Sequence, residues 1–260
     1  MGSREARPAE HDRQVAPGRL YEQIGVGYTR HRRPDPRIVA RLDDALGAAR
    51  RILNVGAGAG SYEPTGRQVV AVEPSPVMLA QRPRTAAPVV RGVAEALPFP
   101  DERFDVALAV LTLQHWTDPI AGLRELRRVA RRQVVLHYEP GFEYWLTSEY
   151  LPQLRELDVG HVLTVADVVA ALGGAAVTTI KVPHDCVDGF FAAYWRRPAA
   201  YLERSVRDAI SMFARIPDED VQPGLRRLDR DLASGSWRDG HADLLELDEL
   251  DAGYRLIVAG

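Results

Sequence analysis

Apolar positions in this chain switch repeatedly between a helical and a strand-like spacing. Over residues 36–49, Ile38, Val39, Leu42, Ala45 and Leu46 recur at helical intervals, and Gly47 closes the run. Ile52-Leu53-Asn54-Val55 then reads as a short buried strand opening into Gly56-Ala57-Gly58-Ala59-Gly60. Residues 68–72 predict a second strand ended by Glu73-Pro74. Ser75 caps a following helix through Gln81, with Pro76 at its favoured first position. Residues 88–91 and 104–111 predict a third and a fourth strand. The fourth is almost entirely apolar, as a strand covered on both faces must be. Asp118-Pro119 opens a helix that turns Ile120, Leu123, Leu126 and Val129 inward, and residues 134–138 form a fifth strand.

Beyond Pro140-Gly141 the rhythm changes. Residues 142–157 and 165–172 look helical, 176–180 look like a sixth strand, and 254–258 like a last one. Residues 189–233 look mostly helical, broken at Pro198 and Pro217. The expected fold is α/β: a Rossmann-like, doubly wound, mostly parallel seven-stranded sheet, with a helical insertion between the last strands. Ligands bind at the carboxyl edge of such sheets, where the insertion would pack. One connection is tight. Only residues 61–67 separate the glycine run from the second strand, against the ~12 residues a parallel crossover needs, so its helix is expected to be about one turn.

Composition narrows the class. The 260 residues are 46% apolar and 27% charged, enough for a substantial core, and no apolar run is long enough to span a membrane. A net charge of −3 argues against a nucleic-acid binder, which needs a surplus of phosphate-neutralising groups. The polar N-terminus lacks the apolar core of a secretory signal, and the single cysteine, Cys186, allows no internal disulfide. The expectation is a cytoplasmic protein, with a homo-oligomer left open, and with residues 1–20 as a mobile tail, 37–188 as core, 189–235 as an insertion capping the substrate and 236–260 as the final strand region. No metal-ligand spacing stands near the motifs, so no metal is expected.

A glycine run directly after a buried strand lets the backbone approach a ligand closely. Glu73, 17 residues beyond Gly56 at the end of the next strand, is placed to accept both hydroxyls of a ribose. Leu53-Asn54-Val55-Gly56-Ala57-Gly58-Ala59-Gly60 resembles motif I of the class I S-adenosylmethionine-dependent methyltransferases. Residues 70–79, with the acid at the strand end followed by Ser75 and Met78, are similar to their second motif. Residues 92–105 and the turn Leu113-Gln114-His115-Trp116-Thr117-Asp118 resemble the type 11 subgroup, which includes ubiquinone and menaquinone C-methyltransferases.

The resemblance implies S-adenosylmethionine as cofactor. Gly56, Ala57 and Gly58 would line its methionyl and ribose side, and Glu73 would hold the ribose. Pro74, Ser75 and Met78 would flank the adenosine, Ala94 and Glu95 would face adenine, and Leu111 would cover the cofactor. Residues 21–36 would fold over it, with Tyr28 closing the pocket and Arg33 pairing with the methionine carboxylate. Met78 can equally be core, Glu95 a solvated acid, Tyr28 a core residue and Arg33 a surface charge. A nicotinamide-dependent oxidoreductase is the alternative, disfavoured because its glycine loop is usually spaced G-x-G-x-x-G. A non-catalytic cofactor binder is another.

Methyl transfer from a sulfonium is an in-line displacement governed by alignment. His115, beside the expected methyl and titrating near neutrality, is the candidate base, and the competing reading has it packed on Trp116 to shape the turn. Residues 138–201 hold 10 of the 19 aromatic residues. They could wall a pocket for an apolar or aromatic small-molecule acceptor, pack as core, or meet another subunit.

Overall fold

The computed structural model describes residues 28–260, and for Tyr28 and Thr29 the backbone alone. The expected tail lies outside the described residues. The strands are β1 (Arg51–Val55), β2 (Gln68–Val72), β3 (Val89–Val90), β4 (Phe104–Val110), β5 (Ala130–Tyr138), β6 (Ala176–Thr179), β7 (Val182–Pro183), β8 (Glu249–Leu250) and β9 (Tyr254–Ala259). Seven of them form one sheet in the order β3-β2-β1-β4-β5-β9-β6. The pairs from β3 to β5 are parallel, and β9 runs antiparallel to both β5 and β6. The remaining two, β7 and β8, make a small ribbon at the root of the excursion between β6 and β9. The expected α/β sheet is therefore the observed one.

Side chains alternate across the parallel strands, so each strand feeds two cores. Ile52, Val69, Val106, Leu108, Val134 and Leu136 face one side, against Ile38, Leu42 and Leu46 of helix α2 (Pro36–Leu46), which follows the one-turn α1 (Tyr28–His31). Leu53, Val55, Val72, Ala107, Ala109 and Val135 face the other. There they meet Leu123, Leu126 and Val129 of α4 (Pro119–Val129) and Val168 of α5 (Val165–Ala171); α3 (Pro76–Ala80) precedes them in the chain. Each such fully buried Leu or Val contributes about 1.5–3 kcal/mol by leaving water. The helix starts read at Ser75 and Asp118 are capped as expected, and the structure adds a cap at Asp35. Asp35 accepts the Arg37 N–H, Ser75 that of Met78 and Asp118 that of Ala121.

Three expectations change. Residues 56–67 between β1 and β2 contain turns and bends but no helical turn. In its place a buried ion pair braces the loop. Arg82 pairs with Glu63 and donates to Gly58 O (3.1 Å) and Ala87 O (3.0 Å), and Glu63 accepts Ala87 N–H (2.8 Å). With every partner satisfied, the pair fixes a connection too short to wind. Residues 142–157 are helical in two short pieces rather than one, a π-helix (Leu146–Tyr150) and an α-helix (Pro152–Glu156), because Pro152 has no N–H to continue the first. Residues 189–233 are mostly helical, as expected, but in pieces, with short 3-10 turns and a one-turn helix (Arg204–Asp208) before the long one. Pro198 starts one of them rather than breaking a helix, and the one long element, α6 (Asp218–Ser234), begins directly after Pro217.

The aromatic residues of this region pack on one another. Trp195 and Tyr201 are fully buried. The Tyr144 and Tyr201 hydroxyls lie 2.7 Å apart, and Tyr201 also donates to Phe191 O (2.7 Å). Trp145 Nε1 donates to Trp195 O (3.0 Å), and Trp195 Nε1 to Val182 O (2.9 Å). Of the three readings left open by the sequence, these rings form a core. Among the described residues, no helix is long and apolar enough to cross a membrane.

Candidate active site

At the carboxyl ends of β1, β2 and β4, where the strand order reverses direction, lies a cleft of about 1060 Å3, its open mouth included. β1 runs out into Gly56, whose φ is +69°, a conformation that costs a side-chain-bearing residue energy. Its N–H and that of Ala57 both donate to Val72 O, at 2.9 and 3.1 Å, so the loop is hooked onto the end of β2. A Cβ on Gly56 would stand 2.0 Å from Thr112 Oγ1. Glycine is needed here because the strand β4 exit fills that space. Gly58 (φ +54°) faces the cleft, and a Cβ there would come to 3.2 Å from Met78 Cε.

Glu73 stands at the end of β2, only 5% exposed. Its Oε2 accepts Gly58 N–H at 2.8 Å, and its Oε1 accepts Ser75 N–H at 2.9 Å. Burial raises its pKa, opposed by those two N–H groups and by Arg82. This carboxylate therefore joins the glycine loop to the start of α3 at the cleft wall. Pro74, Ser75 and Met78 line the same wall, and Met78, 2% exposed, also packs on Ala59 as its core reading expects.

Ala94 and Glu95 line the far end. The Glu95 carboxylate accepts Asp118 N–H at 3.0 Å, which ties it to the start of α4. Trp116 closes this end, pressed onto the bare Cα of Gly122, where a Cβ would come within 2.4 Å of the indole. Leu111 takes φ +49°, unusual for a residue with a side chain, and so turns the chain out of β4 into the cleft floor.

His115 lines the cleft beside it. The Gln114 side-chain nitrogen donates to Leu111 O (2.8 Å) and stands 3.1 Å from His115 Nε2, so Nε2 is the accepting nitrogen. The expectation that this ring titrates near neutrality is corrected. Burial, with the cations of Arg215 and Arg32, lowers its pKa to about 3 and keeps it uncharged.

The N-terminal expectations divide. Tyr28 begins α1, and its side chain lies outside what the structure describes. Arg33 is exposed and does not line the cleft, whereas its half-buried neighbour Arg32 does. The reason is the partner: Asp188, fully buried, accepts Arg32 Nε at 2.6 Å and turns that side chain inward. Sequence reading also passed over Asn54, Tyr62 and Thr112 in the lining. Thr112 had a readable signal, since a glycine beside a strand end implies something filling its place. Tyr62 had none. His137 is a core residue, with Nε2 2.7 Å from Leu163 O, and burial pushes the Cys186 thiol up to about 12, far from a nucleophile.

Residues 53–137 match the family described as Methyltransferase domain. A crystal structure described as that of a "putative methyltransferase from antibiotic biosynthesis pathway" of Anabaena variabilis is 32% identical, covers 88% of this chain and 99% of its own, and superimposes with a TM-score of 0.82. An uncharacterized methyltransferase of Mycobacterium tuberculosis is 41% identical over 92 residues, which are 32% of this chain and 37% of that protein. A demethylmenaquinone methyltransferase of Roseiflexus castenholzii is 40% identical over 91 residues, 31% of this chain and 38% of its own. The chain thus spans 37% and 38% of the length of these two curated relatives.

Proposed function

Because the chain belongs to the class I S-adenosylmethionine-dependent methyltransferases, we propose that its cleft binds S-adenosylmethionine and that the protein methylates a small organic acceptor. The observation that carries this reading is Glu73. It is a buried carboxylate at a strand end, held on two backbone N–H groups, in a cleft whose neighbouring wall is glycine and alanine. Such a group suits a pair of sugar hydroxyls, which can donate to its remaining lone pairs. Gly56, Ala57 and Gly58 keep the adjoining wall low, Ser75 and Met78 bound the nucleoside, and Ala94 with Trp116 makes a flat slot for a purine. Glu95 orients that slot through α4, and Arg32 takes the part that the sequence assigned to Arg33.

Bound S-adenosylmethionine supplies a methyl already activated by its sulfonium. The chain's work is then alignment and exclusion of water. Leu111 shapes the floor, and the uncharged His115, whose Nε2 is taken by Gln114, positions the attacking atom from the cleft wall rather than by accepting its proton. The depressed pKa makes His115 a weak base, so positioning is its larger contribution. The preference for an apolar or aromatic acceptor rests on the demethylmenaquinone relatives, since the chain's own aromatic cluster is spent in its core.

Titration calorimetry and thermal shift with S-adenosylhomocysteine and with NADH test the reading. Binding and stabilisation by S-adenosylhomocysteine alone is expected, and stabilisation by NADH alone would transfer the protein to the oxidoreductases.

A further inference from the structure

Three distant pieces of chain meet on one carboxylate. Asp188 lies in the excursion just after β7 and is fully buried. Its Oδ1 accepts Arg32 Nε at 2.6 Å, and its Oδ2 accepts the Tyr62 hydroxyl at 2.9 Å and Arg32 Nη2 at 3.4 Å. Arg32 and Tyr62 are walls of the cleft, while Asp188 is not among its lining residues.

The same join is made twice more. Asp35, also fully buried, accepts the Val187 N–H at 3.1 Å. Gly189 N–H donates to His31 O at 2.7 Å, where a Cβ would lie within 2.7 Å of both that oxygen and the Tyr194 hydroxyl. Directly afterwards, Phe190 and Phe191 enter the insertion's aromatic core. The chain before α2, the loop after β1 and residues 185–189 therefore make one hydrogen-bonded joint. Carboxylates withdrawn wholly from water persist only with partners of this kind, and a half-satisfied joint is worse than none.

We infer that Asp188 is a positioning residue: it sets two walls of the cleft from the insertion, so that filling the cleft and ordering residues 185–202 are thermodynamically linked. The inference rests on the cofactor reading above. Because linkage is reciprocal, whatever orders the insertion, including a bound methyl acceptor, tightens the cleft by the same factor.

Amide hydrogen exchange on the full chain, with and without saturating S-adenosylhomocysteine, tests this. The ligand is expected to slow exchange in residues 56–62 and also in residues 185–202. Asp188→Asn should bind about five- to tenfold more weakly and, once saturated, protect residues 56–62 while leaving 185–202 as in the unliganded protein. Tyr62→Phe, which removes one of the donors and keeps the ring, should weaken binding less and retain part of the transmitted protection. If Asp188→Asn does not fold, the native protein and Tyr62→Phe decide. Protection confined to residues 56–62 in the native protein overturns the linkage and spares the cofactor reading. So does a folded Asp188→Asn that transmits protection as the native protein does. Protection nowhere overturns both.

Discussion

The cleft and the insertion above it use opposite materials. Around the cleft the chain spends glycine, alanine, a buried carboxylate and backbone N–H groups, and leaves space. The insertion and the chain that packs on it spend Trp, Tyr and Phe, interlocked edge to face, as in Trp145, from between β5 and β6, against Tyr150, Tyr201 and Trp237. Aromatic density in this chain therefore marks the part that must build its own core away from the sheet. The ligand site is marked by small residues and by one acid whose charge is costly to bury.

The sharpest way to break that contrast is to empty each region in turn. Trp195→Ala, at a fully buried ring whose Nε1 is satisfied, should lower the free energy of unfolding by about 3–5 kcal/mol in denaturant titrations. A loss below about 1 kcal/mol would remove these rings from the core.

Glu73→Ala should weaken S-adenosylhomocysteine by about 1.5–3 kcal/mol in calorimetry while moving the unliganded melting point far less, because burial already opposes the native charge. Unchanged affinity would defeat the ribose assignment. The sign of the pH effect follows from the raised pKa. Burial raises the pKa of Glu73 above that of an ordinary carboxyl group, so binding should weaken as pH falls and the carboxylate takes up its proton.

The smallest expected effect is a flat line. With its pKa lowered to about 3, His115 stays neutral across the working range, so the turnover profile should show no limb near the ordinary histidine value. Because the folded-state value lies below the unfolded one, this group's contribution to stability is full above about pH 6.5 and is lost as pH falls beneath it. A rate limb near 6.5 would return His115 to the role of titrating base. His115→Ala should slow turnover more than it alters cofactor affinity.

Much of the sheet was legible because its rules are local. The buried run from Ile52 to Val55, the apolar run of β4 and the helix starts at Ser75 and Asp118 each dictate structure within a few residues. The glycines and Glu73 were legible for the same reason: they sit in fixed register with two strands. What escaped depends on distant partners. Arg32 and Arg33 are neighbours with the same side chain, and only a carboxylate 156 residues away decides which of them turns inward. The crossover between β1 and β2 read as a helical turn because nothing nearby announced the Arg82–Glu63 pair that replaces it. His115 looked titratable because its cationic neighbours come from before α2 and from the insertion.

The interlock of Gly56 with Thr112 reaches past this molecule's own chemistry. Anyone reshaping the turn after β4 to admit a different acceptor inherits a corner that is already occupied, since the threonine's bulk sits in the hollow left by the glycine. New specificity is cheaper to install further along that turn, beyond the keystone, than at the keystone itself.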